Sequence, residues 1–135
     1  MKQKDLLNGY IQHEPFLIEI EPTEGCNLGC HFCGLRGTSK NGTKPWLHLT
    51  VENAKIIAEK IAKENWNSRI VFCGHGEPTL NKNLVEIIRV FREVLPKNPF
   101  CLITNGAGFK NGNFEIKKFL NEMEELKLNS FIMDV

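Results

Sequence analysis

No stretch of this 135-residue chain approaches the roughly 20 consecutive apolar residues of a membrane-spanning helix. Its opening, Met1-Lys2-Gln3-Lys4-Asp5, leads only into Leu6-Leu7-Asn8-Gly9, too short an apolar run for a secretory signal. An excess of one charge is also missing. Seventeen Lys and Arg face 16 Asp and Glu, mixed along the chain, for a net charge of +1. Such a balance leaves no electrostatic footprint for nucleic acid or an anionic membrane. Low-complexity segments are absent as well. These absences together lead us to expect a cytoplasmic protein with no membrane partner and no evident nucleic-acid partner.

Cysteine is what the chain has in an unusual pattern. Five cysteines make an odd count, and Cys26, Cys30 and Cys33 crowd into one short segment. That argues against a secreted disulfide framework and for metal binding in a reducing compartment. The 41% of hydrophobic and 24% of charged residues are those of a globular domain, and the length allows one domain at most.

Residues 1–14 read as a polar lead-in, and residues 15–135 as one α/β unit. Phe16–Ile20 has the length and branching of a strand, stopped by Pro22. Arg69–Cys73 and Phe100–Thr104 are further strand candidates, and Ser130–Val135 begins a fourth. Thr50 is placed to cap a helix reaching about Glu64, with Val51, Ala54, Ala58 and Ile61 on one face. Leu84, Ile87, Ile88, Phe91 and Leu95 form the stripe of a second helix, ended by Pro96. A third is expected from about Phe114 to Leu126, with Ile116, Phe119, Leu120 and Met123 facing in. Strands alternating with helices imply a parallel sheet. Part of a (β/α) barrel and a doubly wound open sheet both fit. In either, the cysteine segment, the Gly74-His75-Gly76-Glu77-Pro78 turn and Thr104-Asn105-Gly106 follow successive strands and share one rim.

Thiolates are soft ligands suited to iron–sulfur clusters and to zinc. Three in one loop, with no fourth cysteine nearby, can hold three irons of a four-iron cluster and leave one iron open. A structural zinc would need a fourth donor, for which His31, Cys73 and His75 are candidates. Cys73 and Cys101, within apolar strands, otherwise read as buried thiols.

Cys26-x-x-x-Cys30-x-Phe32-Cys33 after a first strand, with a Gly-x-Gly-Glu-Pro turn after a second, resembles the radical S-adenosylmethionine (radical SAM) superfamily. The resemblance spans roughly Phe16 to Gly106, and the β/α alternation extends it to the C-terminus. It departs from the family pattern at His75, where a first glycine is often found. The resemblance implies a partial (β/α) barrel of parallel strands, with residues 15–135 as the N-terminal portion of the core. It implies that Cys26, Cys30 and Cys33 ligate a [4Fe-4S] cluster whose open iron is chelated by S-adenosylmethionine. Phe32 would lie near the adenine, Gly76 and Glu77 near the methionyl amine, and Pro78 would fix the turn. Asn105 resembles the third-strand turn of several branches, though an ordinary Asn-Gly turn is an equal reading. Asp134 stands where relatives contact the ribose.

By the same resemblance the protein is an enzyme. Its reduced cluster would cleave S-adenosylmethionine to a 5′-deoxyadenosyl radical, which takes hydrogen from a substrate the sequence does not identify. A low-potential donor of flavodoxin or ferredoxin type is the implied redox partner. Family barrels carry more β/α units than the about four found here, so a missing C-terminal half or a second subunit is expected to complete the cleft. A non-catalytic iron–sulfur protein and a zinc-stabilised binding protein are the alternatives.

Overall fold

The structure is a computed structural model that describes residues 14–30, 33 and 46–133. Four short strands, β1 (Leu17–Ile20), β4 (Arg69–Phe72), β5 (Phe100–Thr104) and β6 (Ser130–Met133), form one sheet. All pairings are parallel, and the spatial order β1-β4-β5-β6 is the chain order. Each new strand therefore lies beside the one before it. A doubly wound sheet reverses its strand order at a switch point, and none occurs among the described residues. The winding is that of a barrel segment, which resolves the two architectures left open by the sequence.

The helices follow from apolar spacing and capping. α1 (Val51–Lys63) starts at Thr50, whose Oγ1 accepts the Asn53 N–H at 3.1 Å. α2 (Leu84–Val94) buries Leu84, Ile87, Ile88 and Phe91, the stripe expected of it. A four-residue helix, α3 (Ala107–Lys110), follows β5, and α4 (Ile116–Glu125) is capped by the Glu115 carboxylate. Ala54, Ala58 and Ile61 of α1, the α2 stripe, and Phe119 and Met123 of α4 join Ile20, Ile70, Phe72, Phe100 and Leu102 in one core. Alternate strand residues thus bury one sheet face beneath the helices. Phe72 meets Phe91 and Phe100 edge to face, at centroid distances of 5.3 and 5.6 Å. One expectation fails on α4: Ile116 and Leu120 are 54% and 45% exposed, and only Phe119 and Met123 reach the core.

Arg92, on α2, ties this layer together. Its guanidinium lies 3.7 Å from the Phe100 ring centroid. It donates to the carbonyls of Leu126 (2.9 Å), Asn98 (2.9 Å), Lys127 (3.1 Å) and Pro96 (3.2 Å). These acceptors include the chain just beyond α2 and α4, so one cation joins two helix ends whose dipoles favour positive charge.

Candidate active site on the carboxyl rim

Parallel strands in register place the ends of β1, β4 and β5 side by side, with Ile20 opposite Phe72 and Phe72 opposite Leu102. The segment carrying the cysteines leaves the sheet after β1. A small antiparallel ladder closes its base: β2 (Thr23–Glu24) pairs with β3 (Leu47–His48), Thr23 opposite His48. Thr23 Oγ1 and His48 Nδ1 lie 3.1 Å apart, and the Leu49 N–H donates to the Pro22 carbonyl at 2.9 Å. Buried Asn81 clamps both flanks of the ladder, its Nδ2 donating to the carbonyls of Pro22 (2.8 Å) and Leu49 (2.9 Å). The cysteine segment is therefore anchored at both ends to the chain that follows β4.

That chain is the Gly-Glu-Pro turn. A Cβ on Gly76 would fall 1.6 Å from the Thr23 carbonyl oxygen, so only glycine lets the turn pack on β2. The Gly76 N–H donates to Glu21 Oε1 at 3.0 Å, and the Glu77 N–H to the Gly25 carbonyl at 2.8 Å. Pro78 opens a 3-10 helix, Pro78–Leu80, a position where its fixed φ and missing N–H cost nothing. The Glu77 carboxylate turns inward and is 3% exposed. Its Oε1 accepts from the Thr79 N–H at 2.9 Å and from the hydroxyls of Thr79 and Thr104. Its Oε2 accepts the Asn105 N–H at 2.7 Å. The two hydroxyls accept in turn from the N–H groups of Gly108 and Gly106. Every polar atom of this buried knot is partnered, as burial demands.

Cys26, Cys30 and Cys33 are all partly buried. The Cys33 N–H donates to the Cys30 carbonyl at 3.1 Å. Cys26 Sγ accepts from the Leu28 N–H and from Asn105 Nδ2, each at 3.4 Å. Burial pushes the Cys26 thiol above its usual range; the Leu28 N–H opposes this, and the charges of Glu77, Cys30 and Cys33 add to it. Phe32, His31 and Asp134 lie outside the described residues.

Two of the candidate zinc donors, Cys73 and His75, have other neighbours. Cys73 sits by Glu19 and Cys101, and its thiol is pushed up to about 11 by burial first and by those two neighbours next. Cys101 is buried as expected, whereas Cys73 is only partly so. His75 Nδ1 lies 4.0 Å from Glu21 Oε1. Among the described residues no three His, Cys, Asp or Glu side chains gather to hold one metal ion. Yet Cys30 and Cys33 are near enough for their charges to act on Cys26.

Comparison with known proteins identifies the family. A model of the radical SAM superfamily matches residues 20–135, from the end of β1 through β6 and beyond. The chain belongs to the radical SAM superfamily. Members of this family use a [4Fe-4S] cluster and S-adenosylmethionine. The chain is 28% identical over 117 residues to a probable GTP 3',8-cyclase of Thermoplasma volcanium, covering 87% of this chain and 34% of that one. It is equally similar to an S-adenosyl-L-methionine-dependent 2-deoxy-scyllo-inosamine dehydrogenase of Niallia circulans, covering 87% and 43%. Two solved structures share its fold. BtrN in an open conformation superposes with a TM-score of 0.72 at 25% identity, over 91% of this chain and 51% of that one. BtrN in complex with AdoMet and 2-DOIA gives 0.69 at 28%, over 87% and 44%. These radical SAM relatives are enzymes, and this chain spans about half their length or less.

Sequence reasoning placed Thr104 on this radical SAM rim but not its bond to Glu77, and it missed Thr79 and Asn81, which carry no motif of their own. Only Thr79, two residues beyond Glu77 where a short hydroxyl can reach back, offered a local signal.

Proposed function

We propose that this chain forms the N-terminal part of a radical SAM catalytic core. Cys26, Cys30 and Cys33 hold a [4Fe-4S] cluster, and S-adenosylmethionine occupies its open iron. When bound, the reduced cluster supplies the electron that cleaves the sulfonium to a 5′-deoxyadenosyl radical, which abstracts hydrogen from substrate. The observation that carries the reading is the anchored cysteine segment, tied to the Gly-Glu-Pro turn by the Glu77 N–H to Gly25 bond and to the end of β5 by Asn105.

The chain's own residues divide the remaining tasks. Gly76, packed on β2, brings rim backbone beside the cysteine segment. Pro78 fixes the turn, and Glu77 serves through its hold on Thr104 and Asn105. Phe32, between the last two cysteines, flanks the adenine. A low-potential donor of flavodoxin or ferredoxin type supplies the electron. The rest of the cleft, and the substrate's contacts, belong to sequence outside this chain or to a second subunit.

Anaerobic reconstitution with ferrous iron and sulfide tests the proposal. We expect about four irons per chain, and loss of the cluster from Cys30→Ala. With dithionite and S-adenosylmethionine, the loaded protein is expected to form 5′-deoxyadenosine. Zinc in place of iron, or full iron content in Cys30→Ala, would overturn the ligand assignment. A fully loaded wild type that forms no 5′-deoxyadenosine would overturn the catalytic part.

A further inference from the structure

Asn105 is held on the rim through both backbone and side chain. Its backbone N–H donates to Glu77 Oε2 at 2.7 Å, and Glu77 is itself fixed by Thr79 and Thr104. Its Oδ1 accepts the Ala107 N–H at 2.9 Å. With the oxygen engaged there, the amide has one orientation, and Nδ2 must face the cysteine segment. It lies 3.4 Å from Cys26 Sγ and 3.1 Å from Asn27 Oδ1. Asn105 is thus a side chain from the turn after β5 reaching across the rim to the first cysteine.

We propose that Asn105 is a positioning residue for the cluster: a preset hydrogen-bond donor to the Cys26 sulfur that raises the cluster's reduction potential. The inference rests on the cluster assignment above and deepens it. A metal-bound thiolate is a stronger acceptor than a thiol, so the bond tightens on loading. A donor to a ligating sulfur draws off negative charge and favours the reduced, more negative state, one of the ways proteins set iron–sulfur potentials. The Leu28 N–H, at the same distance, is a second donor to this sulfur. Asn105 differs from it in coming from the turn after β5, so it also fixes the Cys26 corner against the sheet. The chain Thr79–Glu77–Asn105–Cys26 thereby links the turn after β4 to the cluster, although no member of it before Cys26 is a ligand.

Asn105→Ser and Asn105→Asp test this in the reconstituted full chain. Each keeps an oxygen for the Ala107 N–H and removes the amide donor; Asp preserves the shape, and Ser adds no charge. Iron content and EPR-monitored redox titration are the readouts. We expect both variants to load iron and both midpoints to move negative. The ratio of reduced to oxidised cluster at the wild-type midpoint should fall by up to about tenfold, equivalent to about 59 mV for one electron. An unchanged midpoint in Asn105→Ser would overturn the proposal, because a shift in Asp alone is an effect of its charge. A wild type with no [4Fe-4S] signal would overturn the cluster assignment itself, so the two failures are told apart.

Discussion

Glu77 holds four hydrogen-bond donors and is almost sealed from water. The Glu77→Gln variant replaces one acceptor oxygen with a donor and leaves at least one of those partners facing an N–H. We expect it to lower stability by about 1–3 kcal/mol, the cost of an unsatisfied buried polar group, read by urea unfolding of the metal-free chain. A loss below about 0.5 kcal/mol, the range of neutral surface changes, would contradict the geometry. The Gly-Glu-Pro string itself was legible, as were the three cysteines. The inward turn of the carboxylate was not. It depends on Thr104, 27 positions away, and on a glycine whose missing Cβ would meet Thr23 at 1.6 Å. Neither fact leaves a trace in local spacing.

Among elements, α1 and α2 came through well, because a 3.6-residue apolar period and a capping threonine are local signals. The third stripe misled at Ile116 and Leu120. Phe119 fills that end of the core, with the Phe109, Phe114 and Phe131 rings around it, and leaves those two outside. The β2–β3 ladder was illegible, since two residues a side carry no period and their partners lie about a cysteine segment apart. Arg92 was missed for a related reason: a charged residue on a helix suggests solvent, whereas its partners are carbonyls beyond both helices. We expect Arg92→Ala to lower stability by about 1.5–3 kcal/mol, as for hydrogen bonds to a charged group. Arg92→Lys should recover little, because a point charge cannot replace the planar fork. Chemical denaturation of the three chains decides this; a lysine variant as stable as wild type would show that charge alone suffices.

At the scale of the molecule, strand alternation foretold a parallel sheet but not its order. The order came from pairing: each strand beside its predecessor, helices on one face, and three loops gathered at the carboxyl ends. This arrangement makes a loop after β1, a turn after β4 and an amide after β5 into one site. Among the described residues no helix is long and apolar enough to cross a membrane. The solved relatives extend well past the matched region, with 51% and 44% of their chains covered. An iron with no protein ligand is the feature on which the proposed function turns. EPR of the dithionite-reduced, reconstituted protein, recorded with and without S-adenosylmethionine, addresses that iron directly. The account predicts a cluster signal whose g-values change when the sulfonium is added. A signal indifferent to saturating S-adenosylmethionine would contradict it.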